Sequence, residues 1–253
     1  MGKLSGKRVV VTGGGQGLGL ATVRGLIQEG CDLAIHYNTS RGGAEELVLA
    51  AQKNKLRAQA FQSDLTDERS VQAFVQSAAD YLGGIDVLIN NAGDLVGRRQ
   101  LAEINLDFWD KVMSINLTSM MLVTRECVPH LAKNSGSSIV NLASLAGRKG
   151  GHAGSLSYST AKGATLTWTR SLASELAPQG IRVNAVAPGL ILGTRFHQTH
   201  TTNESADRTV EGIPLGRPGH PDDVARPVIF LASEFDGFIT GATLDINGGV
   251  YCA

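Results

Sequence analysis

Short apolar runs alternate with segments of helical spacing along the chain, and this alternation leaves few folds open. Residues 8–12, 31–36, 57–62, 85–90, 138–142, 181–186 and 243–246 are apolar, rich in β-branched residues, and not strictly alternating. That is the pattern of strands covered on both faces. Between them, residues 18–29, 43–53, 68–82, 108–132, 158–177 and 221–233 carry helical spacing. Acidic residues stand where two of these helices would start, at Asp67-Glu68 and Asp222-Asp223, as the helix dipole favours. Strands alternating with helices require right-handed crossovers, and so predict an α/β chain built on a parallel, doubly wound, Rossmann-like sheet with helices on both faces.

No linker, charge block or repeat divides the 253 residues, so a single domain spanning 1–253 is predicted. Residues 190–219 stand apart: they are polar, hold His197, His200 and a run of threonines, and show no clear period. A long irregular segment inside such a domain reads as a lid or substrate-binding loop. The formal net charge is zero, which gives no global field to attract nucleic acid or an anionic membrane. Cys31, Cys127 and Cys252 are far apart and odd in number, with no CxxC pair or Cys/His cluster. A disulfide framework and a metal site are therefore not expected. No signal-peptide layout or membrane-length apolar stretch is present, and a cytoplasmic location is the default expectation.

Thr12-Gly13-Gly14-Gly15-Gln16-Gly17-Leu18-Gly19 joins the first strand to the first helix. Glycines at that junction let the backbone turn sharply and approach a pyrophosphate at the helix N-terminus. A tight βα turn would also explain them, but their place at the first strand–helix junction favours cofactor binding. Their spacing is Gly-xxx-Gly-x-Gly rather than GxGxxG.

Further motifs follow in register: Asn90-Asn91-Ala92-Gly93, Asn116 in SINLTS, Ser144 in NLASLAG, Tyr158-xxx-Lys162, Pro188-Gly189, and Asp245-Ile246-Asn247-Gly248-Gly249. With the glycine turn, this series resembles the short-chain dehydrogenase/reductase family over essentially the whole chain. The resemblance implies an oxidoreductase that interconverts a carbonyl and a secondary alcohol with a nicotinamide dinucleotide. Its catalytic residues would be Ser144, Tyr158, Lys162 and Asn116, the last supporting a water-linked proton relay. Cofactor contacts would come from Gly13, Gln16, Gly17, Leu18 and Gly19, from Asn91, Ala92 and Gly93, and from Pro188, Gly189 and Ile191. Asp64 and Leu65 would meet the adenine, while Tyr158 and Lys162 would also meet the nicotinamide ribose. Thr194 falls one place later than the corresponding family threonine, which leaves its contact with the nicotinamide amide open.

Tyr158 and Lys162 are four apart and so share one face of a helix. A free tyrosine titrates near ~10, and a neighbouring ammonium favours the phenolate, so Lys162 is expected to lower the value for Tyr158. At the end of the second strand, Tyr37 stands where NAD-preferring relatives carry an aspartate. Asn38, Thr39, Ser40 and Arg41 follow it and can donate to a 2′-phosphate, so NADP(H) is expected over NAD(H).

Arg98 and Arg99, with Arg148, suggest a basic mouth for an acidic carbohydrate-like substrate. Two adjacent arginines also occur as a solvated rim. Reduction of 3-oxoacyl groups on acyl carrier protein is the alternative, although VPHLAKNSG and RSLASELAPQG are poor in the arginines that would dock such a carrier. A catalytically silent dinucleotide-binding regulator is a third reading, opposed by the intact Ser144, Tyr158 and Lys162. The resemblance also implies a homotetramer paired through the helices at 108–132 and 158–177.

Overall fold

The computed structural model describes residues 4–133, 136–233 and 237–252. Its first half runs β1 (Arg8–Val11), α1 (Gly17–Glu29), β2 (Asp32–Tyr37), α2 (Arg41–Lys53), β3 (Ala58–Gln62), α3 (Glu68–Leu82) and β4 (Val87–Asn90). After β4 come α4 (Leu106–Met113), α5 (Ser119–Leu131), β5 (Ser137–Leu142), α6 (Leu145–Lys149), α7 (Leu156–Leu176) and β6 (Ile181–Pro188). The chain then continues through α8 (Arg195–His200), α9 (Asn203–Glu211), α10 (Pro221–Ala232) and β7 (Thr243–Ile246).

The strands form one sheet in the order β3-β2-β1-β4-β5-β6-β7, and every adjacent pair is parallel. Strand order reverses between β1 and β4, and a crevice opens beyond their carboxyl ends. Alternate residues of each strand feed opposite cores. Val9 and Val11 of β1 pack with Leu26, Val228 and Leu231 of α1 and α10, while Val10 packs with Phe74, Leu122 and Leu172 of α3, α5 and α7. This two-residue period between covered faces is why the strands read as continuous apolar runs. Among the described residues, no helix is long and apolar enough to cross a membrane.

Three local expectations are corrected. The continuous helix expected over 108–132 is α4 and α5 joined by a π-turn at Ser114–Thr118. There the Asn116 amide donates to the Val112 carbonyl, 3.0 Å away, competing with the backbone ladder. The segment 190–219 is not irregular: it carries α8 and α9, capped by the hydroxyls of Thr194 and Thr202. A parallel bridge between Ile191 and Gly219 closes its base. Such short helices contribute few buried residues and leave little periodic signal. Finally, α6 occupies a stretch after Ser144 for which no helix was expected.

The glycine turn is held in place from β2. The imidazole of His36 accepts from the Gly13 N–H at Nδ1, 3.0 Å away, and its Nε2 donates to the Ser63 carbonyl, also at 3.0 Å. The His36 carbonyl accepts from the Gly14 N–H. Both ring nitrogens are thereby used in the neutral form, and burial pushes the imidazole down to about 4. Because the folded value is depressed, its stabilising contribution is complete above the unfolded value near ~6.5 and is lost as pH falls towards 4. Urea unfolding should therefore weaken by on the order of 3 kcal/mol between those limits. His36→Gln should flatten that part of the profile; an unchanged slope would remove His36 as the cause.

Candidate active site

The loop between β1 and α1 fits the phosphates of a dinucleotide. Gly13 and Gly17 have φ of 63° and 55°, a left-handed conformation that glycine adopts without strain. A Cβ on Gly19 would stand 2.2 Å from the Gly13 carbonyl oxygen and 2.5 Å from the Asn91 amide. Gly19 therefore closes the turn by packing and does not face the cavity. Gln16 caps α1 without a side-chain hydrogen bond, and the first turn carries no acidic residue. Its amides are thus left for an anion at the positive end of the dipole. Thr12 and Asn91 tie the turn to β4: the Asn91 amide donates to the carbonyls of Thr12 and Gly13, at 2.9 and 3.0 Å. The Asn91 and Ala92 N–H groups in turn donate to the Thr12 hydroxyl.

A cavity of about 640 Å³ runs from this turn across the carboxyl ends of the strands, ample for a cofactor and a small substrate. Gly13, Gln16, Gly17 and Leu18 line its first part, with Asn38, Thr39 and Ser40 beside them. Asp64, Leu65, Asn91, Ala92 and Gly93 also line the cavity. Pro188, Gly189, Ile191 and Thr194 complete the wall. Tyr37 does not reach the cavity, since its ring is buried in the core. Arg41 also stays outside, paired with Glu45 at 2.7 Å on the exposed side of α2.

Ser144, Tyr158 and Lys162 converge on the same cavity. Ser144 ends the loop after β5 and caps α6, where its hydroxyl accepts from the Ala146 N–H at 3.1 Å. Tyr158 and Lys162 lie one turn apart on α7. The Lys162 ammonium donates to the Leu142 carbonyl at 2.7 Å and stands 5.8 Å from the centre of the Tyr158 ring. Burial pushes Lys162 down to about 8.

The expected lowering of Tyr158 is corrected. Enclosure by protein pushes its phenol up to about 12, opposed by a hydrogen bond with Ser144 and reinforced by the nearby charge of Asp94. The Lys162 ammonium is directed at the Leu142 carbonyl rather than at the phenol. At neutral pH the phenol keeps its proton and is suited to donate it.

Asn116 sits behind the cavity wall. Its carbonyl accepts from the Asp94 N–H at 3.1 Å, and its amide donates to the Asp94 carbonyl at 2.6 Å. Asn116 and Lys162 meet at Gly93, where a Cβ would lie 2.8 Å from Oδ1 of Asn116 and 3.2 Å from Nζ of Lys162.

The three arginines expected near the substrate separate. Arg98 lines the cavity, with its guanidinium donating to the carbonyls of Ala153 and His200. Among the described residues it has no carboxylate partner. Arg99 instead lies over the Phe108 ring at 4.5 Å. Arg148 also leaves the expected substrate mouth, bound through two nitrogens to Asp245. Sequence reasoning missed Phe196 of α8, whose ring packs on Tyr158 with centroids 5.9 Å apart. It also missed the contact of His200 with Asp94 at 3.1 Å. An aromatic and two histidines in a polar segment were its only signal.

A family model described as enoyl-(acyl carrier protein) reductase matches residues 13–251. The 3-oxoacyl-[acyl-carrier-protein] reductase FabG of Chlamydia pneumoniae is 37% identical over 98% of this chain and 98% of its own. The solved structure of an NADH-dependent reductase, A1-R', responsible for alginate metabolism superposes with a TM-score of 0.90 at 32% identity, covering 99% of both chains. A short-chain dehydrogenase of Burkholderia cenocepacia, solved in complex with NADP, superposes at 0.92 with 33% identity, over 98% of this chain and 99% of that one. The chain belongs to the short-chain dehydrogenase/reductase family and is an NAD(P)-dependent oxidoreductase.

Proposed function

We propose that this protein uses NADP(H) to interconvert a carbonyl and a secondary alcohol on a small polar or acidic, carbohydrate-like substrate. The convergence of Ser144, Tyr158 and Lys162 in one cavity with the glycine turn carries the reading. The nicotinamide, when bound, supplies or accepts the hydride. Ser144 orients the substrate oxygen through a hydrogen bond. In reduction, Tyr158 gives its phenolic proton to that oxygen, and Lys162 stabilises the phenolate left behind. In oxidation the same phenolate takes the proton back.

The preference for NADP(H) is supported by Asn38, Thr39 and Ser40 lining the cavity with no acid at the end of β2. Among the described residues Arg41 is bound only by an exposed ion pair with Glu45, which costs little to exchange for a phosphate. An acidic substrate is supported by Arg98, Lys149 and Arg195 in the cavity wall. Similarity to FabG of Chlamydia pneumoniae favours a second reading, reduction of a 3-oxoacyl thioester.

Tyr158→Phe should lower turnover by about 10²–10⁴-fold, the usual worth of general acid catalysis, at unchanged cofactor affinity. Carbonyl reduction should hold steady below about pH 8, where Lys162 keeps its charge. Alcohol oxidation should rise with pH, because the phenol starts protonated; a flat oxidation profile would dismiss Tyr158 as the base. Arg41→Ala should weaken NADPH roughly three- to tenfold in fluorescence titration and leave NADH untouched. Equal constants before and after would refute the assignment. In a screen of uronates, ketodeoxy sugar acids and acetoacetyl-coenzyme A at 340 nm, Arg98→Ala should raise KM for sugar acids about tenfold. Faster turnover of the thioester, unaffected by Arg98→Ala, would select the second reading.

A further inference from the structure

We propose that the ion pair between Arg148 and Asp245 positions Ser144, by locking α6 to the last strand of the sheet. The inference rests on the roles proposed above for Ser144 and Tyr158.

Helix α6 has only five residues, none of them fully buried, so apolar packing does little to hold it. Other contacts must keep its first turn in place, and that turn carries the serine. On one side, Gly147 lies against the backbone of α7, where a Cβ would stand 2.6 Å from the Lys162 carbonyl and 2.7 Å from the Gly163 nitrogen. On the other side, Nε and Nη2 of Arg148 donate to the two carboxylate oxygens of Asp245, at 3.0 and 3.2 Å. Both side chains are 15% exposed. A forked, mostly buried pair of this kind fixes direction as well as distance. The Tyr251 ring, 5.9 Å from the guanidinium carbon, covers it further.

Asp245 belongs to β7, in register with Ala187 of β6 and one place before Pro188. The pair therefore sits behind the cavity wall formed by Pro188 and Gly189, and neither Arg148 nor Asp245 lines the cavity. It acts through Ser144, not on substrate. The Ser144 hydroxyl accepts from the Ala146 N–H and shares the cavity wall with Tyr158. That placement survives only while α6 keeps its place between α7 and β7. Loss of the pair would let α6 fray and turn the hydroxyl away from Tyr158.

Hydrogen exchange on the unliganded protein and steady-state kinetics test this together, using Arg148→Met, Asp245→Asn and the charge-reversed pair R148D/D245R. Exchange of the Ala146 and Gly147 amides should quicken at least tenfold in each single variant, with the β1 and β4 amides unaffected. With the best carbonyl substrate from the screen, kcat should fall about tenfold while KM and the NADPH dissociation constant hold. The isotope effect with deuterated NADPH should rise, as a smaller folded fraction would not make it do. The reversed pair should recover both readouts. If Arg148→Met does not fold, Asp245→Asn decides alone. Unaltered exchange at Ala146 and Gly147 would overturn the clamp. Faster exchange with normal kcat and isotope effect would overturn its link to Ser144. Failure of the proposed chemistry would show separately, as turnover that survives Tyr158→Phe.

Discussion

The carbonyl of Gly13 and the backbone of Gly19 approach so closely that no side chain fits between them, and the site is arranged around that contact. It closes the turn between β1 and α1 and leaves the first amides of the helix free of side-chain caps. The turn is then fastened from two neighbouring strands. His36 of β2 holds the Gly13 N–H, while Asn91, just after β4, holds the carbonyls of Thr12 and Gly13. β1 lies between those strands in the sheet, so the point where strand order reverses is also where the loop is most constrained. Preorganisation of this kind lowers the entropy lost when an anion is bound.

At Tyr158, the proposed catalytic group, burial and the nearby charge of Asp94 act in the same direction. Enclosure raises Tyr158 and lowers Lys162, so each is driven towards its neutral form. A proton held on the phenol is what reduction needs. Oxidation needs the opposite state, which must be reached by adding positive charge near the ring or by raising the pH. Asp94 works against that change, and it is in contact with His200 of α8, 3.1 Å away.

The sheet and most of its helices were legible because a doubly covered sheet imposes a period of two on strands and 3.6 on helices, and both survive as patterns of apolar residues. The π-turn was not, since it depends on the Asn116 side chain finding the Val112 carbonyl, a local competition that leaves hydropathy unchanged. Helices α8 and α9 escaped for a related reason. Each starts from a threonine cap and offers little apolar surface, so nothing periodic announced them. His36 was hidden inside an apolar run, and its role appears only once Gly13 and Ser63 are seen on either side of the ring.

The arginines show most clearly where reading along a chain stops. Arg98, Arg99 and Arg148 are equivalent as sequence: each is a cation near a motif of the site. Their differences come from partners set by the fold. Arg98 reaches the carbonyl of His200, 102 residues away, and stays in the cavity wall. Arg148 finds Asp245, 97 residues away, and is removed from it. Arg99 settles on a nearby aromatic ring. A guanidinium buried beside a carboxylate has its charge met and its direction set, so it can brace a loop but not attract a substrate. One bonded only to carbonyls keeps its charge for whatever enters the cavity. Residue type and motif spacing bring candidates to the site, and the partner each finds in the fold decides which stay in the cavity wall.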